Sequence, residues 1–359
     1  VFTVGGLGNF SATELTKALA GKQVSVNAGI SNLTESLSGS STPKDFETML
    51  QLVYLDFTGL REDNDAFLSY KNRLYASLAN QEMQPMSALQ DTLNKVLYNG
   101  HPRAHRLKAA DVDKIDYSRI MQVARERFSN AADFNFIFTG NFDEETMLPL
   151  IAQYLGALPT TSQREKYVDN KIDIVKGRKE NVFRKQMETP MATVAMIASG
   201  KNKYNLKNEV ALDIAVQSLN IIFTEEIREK EGGTYGVSVA SSFTDKPKPT
   251  EILQIIYQTD PDKFEALNAR IMELVDEFTK AGPDAVILAK VKEYMLKNYT
   301  ENQRDNAYFG SALREYIESG IDPVTTYRQT VESITAADAA KAVRKLLKQG
   351  NFKTVVMAG

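Results

Sequence analysis

The chain has no cysteine among its 359 residues and only two histidines. Without thiols there is no disulfide, no thiolate nucleophile and no cysteine-ligated zinc. The same absence suits an envelope compartment and a cytosol equally, so it assigns neither. No apolar run approaches the roughly 20 residues that span a bilayer. The opening "VFTVGGLGNFS" carries no basic n-region followed by an apolar h-region. Positive charge is not in excess: a net charge of −3 argues against a general nucleic-acid binder, which shows a basic patch or stripe. "VGGLGNF" lacks the P-loop lysine and the G-x-G-x-x-G order, so it is no nucleotide cradle. "DFTGLREDNDAF" groups carboxylates without EF-hand spacing and reads as a solvated helix junction. "GRKENVFRKQ" is a short basic stretch that reads as a linker.

What is present is an ordinary globular composition, 43% hydrophobic and 25% charged. The length suggests two domains, and comparing the halves supports an internal duplication. "TPKDFETML" matches "DPDKFEALN", with Pro43 and Pro261 offset by 218 residues. Lys71 and Tyr75 match Lys290 and Tyr294 at 219, "VDKIDYSRIMQVARERF" matches "VESITAADAAKAVRKLL" at 219, and Phe134 matches Phe352 at 218. A nearly constant offset over such different stretches points to two copies of one fold, residues 1–165 and 176–359, with a boundary near the polar run Thr160 to Lys171. Strands are expected at "VSVNAGI", "FNFIFTG", "TVAMIAS", "YGVSVAS", "EILQIIYQ" and "FKTVVMAG", which are rich in β-branched and aromatic residues. "EILQIIYQ" would offer an edge to an extended peptide, but it reads better as an interior strand. Phe46, Met49, Leu50, Val53, Tyr54 and Phe57 form one apolar helix face. Helices fall in runs between strands, so the expected class is α+β, with helices packed on an antiparallel or mixed sheet. The second copy opens with a strand near Val182 to Ser199 and a helix from about Lys207 to Arg228. By the same offset, the first copy lacks its first strand and most of its first helix, about 36 residues.

His101 and His105, in "NGHPRAHRL", are four residues apart, the spacing of two zinc ligands on one helix face. The second copy keeps Gly320 and Pro323 where the first has Gly100 and Pro102, yet has no histidine there. Glycine ends one helix and proline begins the next, so the stretch reads as a connector. Pro102 suits a first helical position, which leaves His101 at or before the cap. Ala104 stands where an H-x-x-E-H motif needs glutamate, so no metal is expected here.

The tandem α+β copies, the "GHP" loop, the ending "FIFTGNFD…LPLIAQYLGALP" and the turn "FTEEIREKEGGTYGVSVAS" together resemble the pitrilysin/insulinase family of inverzincin zinc metallopeptidases. The likeness is to the C-terminal, zinc-free half of a long bacterial-type member. It implies four such domains closing as a clamshell around a peptide, with zinc held by H-x-x-E-H and a downstream glutamate in the N-terminal half. This chain has no H-x-x-E-H, and Tyr75, Ala76 and Ser77 occupy the region upstream of Pro85 where the further glutamate would stand. The resemblance assigns substrate contact to Arg228 and to Tyr235, seven residues on, with no catalytic residue and no metal in this chain. Gly232 and Gly233 would allow a sharp helix exit that lets the two side chains converge. Read without the resemblance, Arg228 is a cation favoured by a helix C-terminus and Tyr235 is strand core.

Two functions follow as expectations. One is the non-catalytic half of a zinc-dependent endopeptidase, partnered by an extended or unfolded peptide and a zinc-bearing N-terminal half or subunit, in a bacterial periplasm or envelope. The other is a peptidase-like binding or assembly subunit with no peptidase partner. Neither involves nucleic acid or a membrane span.

Overall fold

The computed structural model describes residues 1–230 and 234–359. Two compact units divide them, one of 1–82 with 107–168 and the other of 83–106 with 169–359.

In the first unit, α1 (Ala12–Ala18) starts with a capping box in which Ser11 and Glu14 satisfy each other's backbone N–H. A hairpin follows, β1 (Val24–Ile30) and β2 (Glu35–Ser41), paired antiparallel from Val24 opposite Ser41 to Ile30 opposite Glu35. After Pro43 at the head of a short 3-10 turn come α2 (Phe46–Thr58) and α3 (Asn64–Glu82). α4 (Pro85–Tyr98) belongs to the second unit, and α5 (Tyr117–Arg127) and α6 (Glu144–Tyr154) complete the first. The apolar face of α2 is buried as its spacing requires: Phe57 meets Phe128 edge-on at 5.5 Å and Phe134 at 4.8 Å, beside Phe2, Met121 and Leu158. On the other side Phe46, Met49 and Leu50 pack on Met147 and Phe138.

In the second unit, β3 (Arg178–Arg184) and β4 (Ala192–Gly200) lead to α7 (Leu206–Phe223), then β5 (Thr234–Thr244) and β6 (Thr250–Thr259). The chain continues through α8 (Phe264–Ala281), α9 (Ala285–Asn302), α10 (Asn306–Ser319), α11 (Tyr327–Ser333), α12 (Ala336–Leu347) and β7 (Phe352–Ala358). The sheet order is β3-β7-β4-β6-β5. β3 lies parallel to β7 and the other neighbours are antiparallel, so the sheet is mixed. One face, with Val194, Met196, Leu253 and Ile255, is buried with residues of α7, α8 and α12, among them Ile214, Ile271 and Val343. The other face, with Ala195, Ile197, Val355 and Met357, lies against Leu89, Leu93, Val96 and Leu97 of α4. That double coverage is why β4, a run with no polar alternation, is buried at every position.

The fold is therefore α+β, with sheet layers packed on helices. Two local readings need correction. "GRKENVFRKQ" contains an edge strand, β3, rather than a linker. "FNFIFTG" is not a strand: 134–139 run without strand pairing, and the only backbone hydrogen bond described within 134–140 is Phe134 N–H to Ala131 O. A strand exists only with a ladder partner. β7, which it matches at an offset of 218, sits between β3 and β4, whereas no ladder is described for 134–140.

Candidate functional site

α7 does not end where its α-helical hydrogen bonding ends. It passes into a π-helical turn over Thr224–Lys230, a widened geometry that recurs at functional positions. Two anchors hold this turn. Phe223 and Ile227 are fully buried in the core, and Glu226 reaches Arg270 of α8 at 3.6 Å. Arg228, the next residue after Ile227, is exposed. Beneath it, Asn220 of α7 accepts from Val239 N–H at 2.8 Å and donates to Val239 O at 2.9 Å, which fixes the helix to the middle of β5.

β5 is the edge of the sheet and β6 is interior, as expected for "EILQIIYQ". The β5–β6 ladder pairs Thr234 with Thr259, slips, and resumes at Val237 opposite Tyr257. Tyr235 and Gly236 thus sit in an irregularity at the start of an edge strand, a device that re-aims side chains. The Thr234 hydroxyl fixes it, donating to Gln258 O at 2.5 Å and accepting from Gly236 N–H at 3.2 Å. Arg228 and the Tyr235 backbone flank the same helix-to-strand connection. Gly232 and Gly233, expected to form the helix exit, and the Tyr235 side chain lie outside the described residues, and with them the expected convergence.

The two histidines occupy a 3-10 turn, Pro102–Ala104. His101 is its N-cap, with Nδ1 accepting from Arg103 N–H at 3.2 Å, and His105 Nδ1 contacts Pro102 O. Pro102 takes the first position, after a left-handed exit from α4 at Asn99 and Gly100, just as α10 exits through left-handed Gly320. Among the described residues no group of three or more His, Cys, Asp or Glu stands together as a zinc site's ligands would. The donor set here does not fit zinc. Sequence reading passes over a different grouping, Glu209 and Asp213 in "LKNEVALDIA": two acids one turn apart among Val210, Ala211, Leu212 and Ile214 are the available signal.

Comparison with known proteins sets the chain in context. Residues 114–295, half of the chain, match the family model described as the Peptidase M16 inactive domain. The chain is 21% identical over 352 residues to the probable zinc protease PqqL of Escherichia coli, covering 95% of this chain and 37% of that one. A Haemophilus influenzae relative of the same description is 21% identical, covering 98% and 38%. The chain thus spans well under half the length of these relatives. Among solved structures, the periplasmic protease PqqL from Escherichia coli superposes with a TM-score of 0.86 at 20% identity, over 99% of this chain and 39% of that one. A Helicobacter pylori protease superposes at 0.83 and 16% identity, over 99% and 87%.

Proposed function

Since this chain belongs to the M16 peptidase family through its inactive domain, we propose that it is the non-catalytic half of a zinc-dependent endopeptidase. In this reading residues 1–165 and 176–359 are two peptidase-like copies that close one side of a chamber over an extended peptide. Zinc belongs to the other half, in the same polypeptide or a separate subunit. The periplasm is the compartment, by likeness to the periplasmic PqqL.

Arg228 and Tyr235 are the contributed contacts. As water adds to a peptide carbonyl, its oxygen gains negative charge. A guanidinium and a phenol held beforehand near that oxygen stabilise the charge without reorganising. The observation that carries the reading is Arg228 itself, solvent-facing on a π-helical turn that buried Ile227 pins, beside the opening of edge strand β5.

The test is cleavage of an unstructured peptide by the complete peptidase, wild type against Arg228→Ala and Tyr235→Phe. Each is expected to lower kcat by roughly 10²-fold, the size of a lost oxyanion donor. Unchanged kcat in both would reject the role given to Arg228 and Tyr235.

A further inference from the structure

A cavity in the second unit has the chemistry of a binding site unconnected with Arg228 or Tyr235. It holds about 270 Å³ among α7, α9, α10 and α11, somewhat below the 300–1,000 Å³ typical of drug-sized sites. That is room for a group the size of one side chain. Glu209 and Asp213 enter it from successive turns of α7, Tyr299 from α9, Tyr308 from α10 and Tyr327 from α11. The three rings line a half-open box in which the facing sides of Tyr299 and Tyr327 cover each other. Tyr299 stacks on Tyr327 at 4.9 Å and 25°, and meets Tyr308 edge-on at 6.4 Å and 78°. The Tyr299 hydroxyl is tied down by donating to Val324 O at 2.8 Å.

The box has negative charge and no cation of its own. Neither Glu209 nor Asp213 makes an ion pair among the described residues, and the charges felt by Glu209 are those of Asp213 and Glu315. Part-buried carboxylates are costly unless a positive charge joins them, and tyrosine faces attract cations. A metal ion suits this lining poorly, because no third acidic or imidazole ligand stands with the pair. An organic cation suits it well: carboxylates accept its N–H groups and the rings cover its charge.

We propose that this cavity binds one organic cation, the guanidinium or alkylammonium group of an arginine- or lysine-like side chain, between the Glu209–Asp213 pair and the three tyrosine faces. The titration state agrees. Burial, reinforced by Asp213 and Glu315, pushes Glu209 up to about 7. Burial pushes Asp213 up to about 6, which a hydrogen bond from Ser241 of β5 partly offsets. The other ionisable groups lining the site are Tyr299, Tyr308 and Tyr327, with Glu315 adding negative charge at Glu209 and Asp322 at Tyr308. The site accepts the cation in its deprotonated form, so binding strengthens as pH rises from 6 to 8.

Calorimetric titration of the 359-residue chain tests this with N-acetyl-arginine methylamide and its uncharged isostere N-acetyl-citrulline methylamide. The arginine derivative is expected to bind and the citrulline derivative not. Glu209→Gln with Asp213→Asn is expected to weaken binding by roughly tenfold or more, as for lost charge-assisted hydrogen bonds. Tyr308→Leu, on a separate helix, is expected to weaken it several-fold, as for a lost cation–π face. Butylammonium and a capped pentapeptide with one central arginine separate the sources: tighter binding of the peptide identifies a polypeptide side chain, and equal binding a free small cation. Equal binding of the arginine and citrulline derivatives, no binding of either, or wild-type affinity in the folded double variant would overturn the proposal.

Discussion

Asp56 is the clearest case of a residue working against the fold that contains it. It lies in α2 with only 2% of its surface exposed, and burial alone pushes its carboxyl up to about 7. A carboxyl raised in the folded state binds its proton more tightly there than in the unfolded chain. Below the unfolded pKa near 4 it costs nothing; as pH climbs from there through 7, the folded state is progressively penalised. Asp56→Asn removes the titration while keeping the shape. The variant is expected to match wild type at pH 4 and to be more stable by about 1–3 kcal/mol at pH 8. Urea denaturation at both pH values reads the difference, and a variant no more stable at pH 8 would contradict it. Arg228 differs in kind: exposed and next to a fully buried Ile227, it is held by its neighbour's packing rather than by its own.

At the scale of elements, the proposed duplication is informative where the two stretches diverge. α4 buries Leu89, Leu93, Val96 and Leu97 against the sheet. A shift of 220, the spacing of Gly100 and Gly320, brings these onto Phe309, Leu313, Tyr316 and Ile317 of α10, all exposed. The same apolar stripe is core in one helix and surface in the other. Leu93→Ala is therefore expected to cost about 2–5 kcal/mol, and Leu313→Ala less than about 0.5 kcal/mol, by urea unfolding of the two variants. Equal losses would mean that α10 is packed as α4 is. Much of this architecture was legible in the residues. "VSVNAGI", "TVAMIAS", "YGVSVAS", "EILQIIYQ" and, but for Gly359, "FKTVVMAG" fall within strands, because β-branched runs bounded by turns have few alternatives. The strand expected near Val182 to Ser199 is two, β3 ending at Arg184 and β4 starting at Ala192, and the first part of β3, "RKENV", is mostly charged, as edge strands often are. "FNFIFTG" misled because strand propensity is a statement about half-buried surface and does not supply a pairing partner. At the candidate site, the family resemblance pointed to Arg228 and Tyr235, but nothing in the residues hinted at the π-helical turn, which is anchored by Phe223, Glu226 and Ile227. The tyrosine box was illegible because its rings come from three helices whose meeting is a property of the fold.

For the molecule as a whole, family membership and fold agree: an M16 inactive domain built as α+β layers, matching solved M16-type proteases across 99% of its length. The two ends of the repeat nevertheless lead different lives. Phe352 to Ala358 is locked between two strands. Its counterpart Phe134 to Gly140 packs two of its rings against the core, Phe134 on Phe57 and Phe138 on Phe46, and leaves Phe136 exposed, while its main chain beyond Phe134 N–H has no described backbone hydrogen bond. Deuterium uptake should separate them. Amides of Asn135 to Gly140 are expected to exchange within seconds, whereas those of Lys353 to Met357 wait on opening of the whole sheet and lag by several orders of magnitude. Matched sequence thus yields one segment that solvent reads at once and another that it reads only when the domain comes apart.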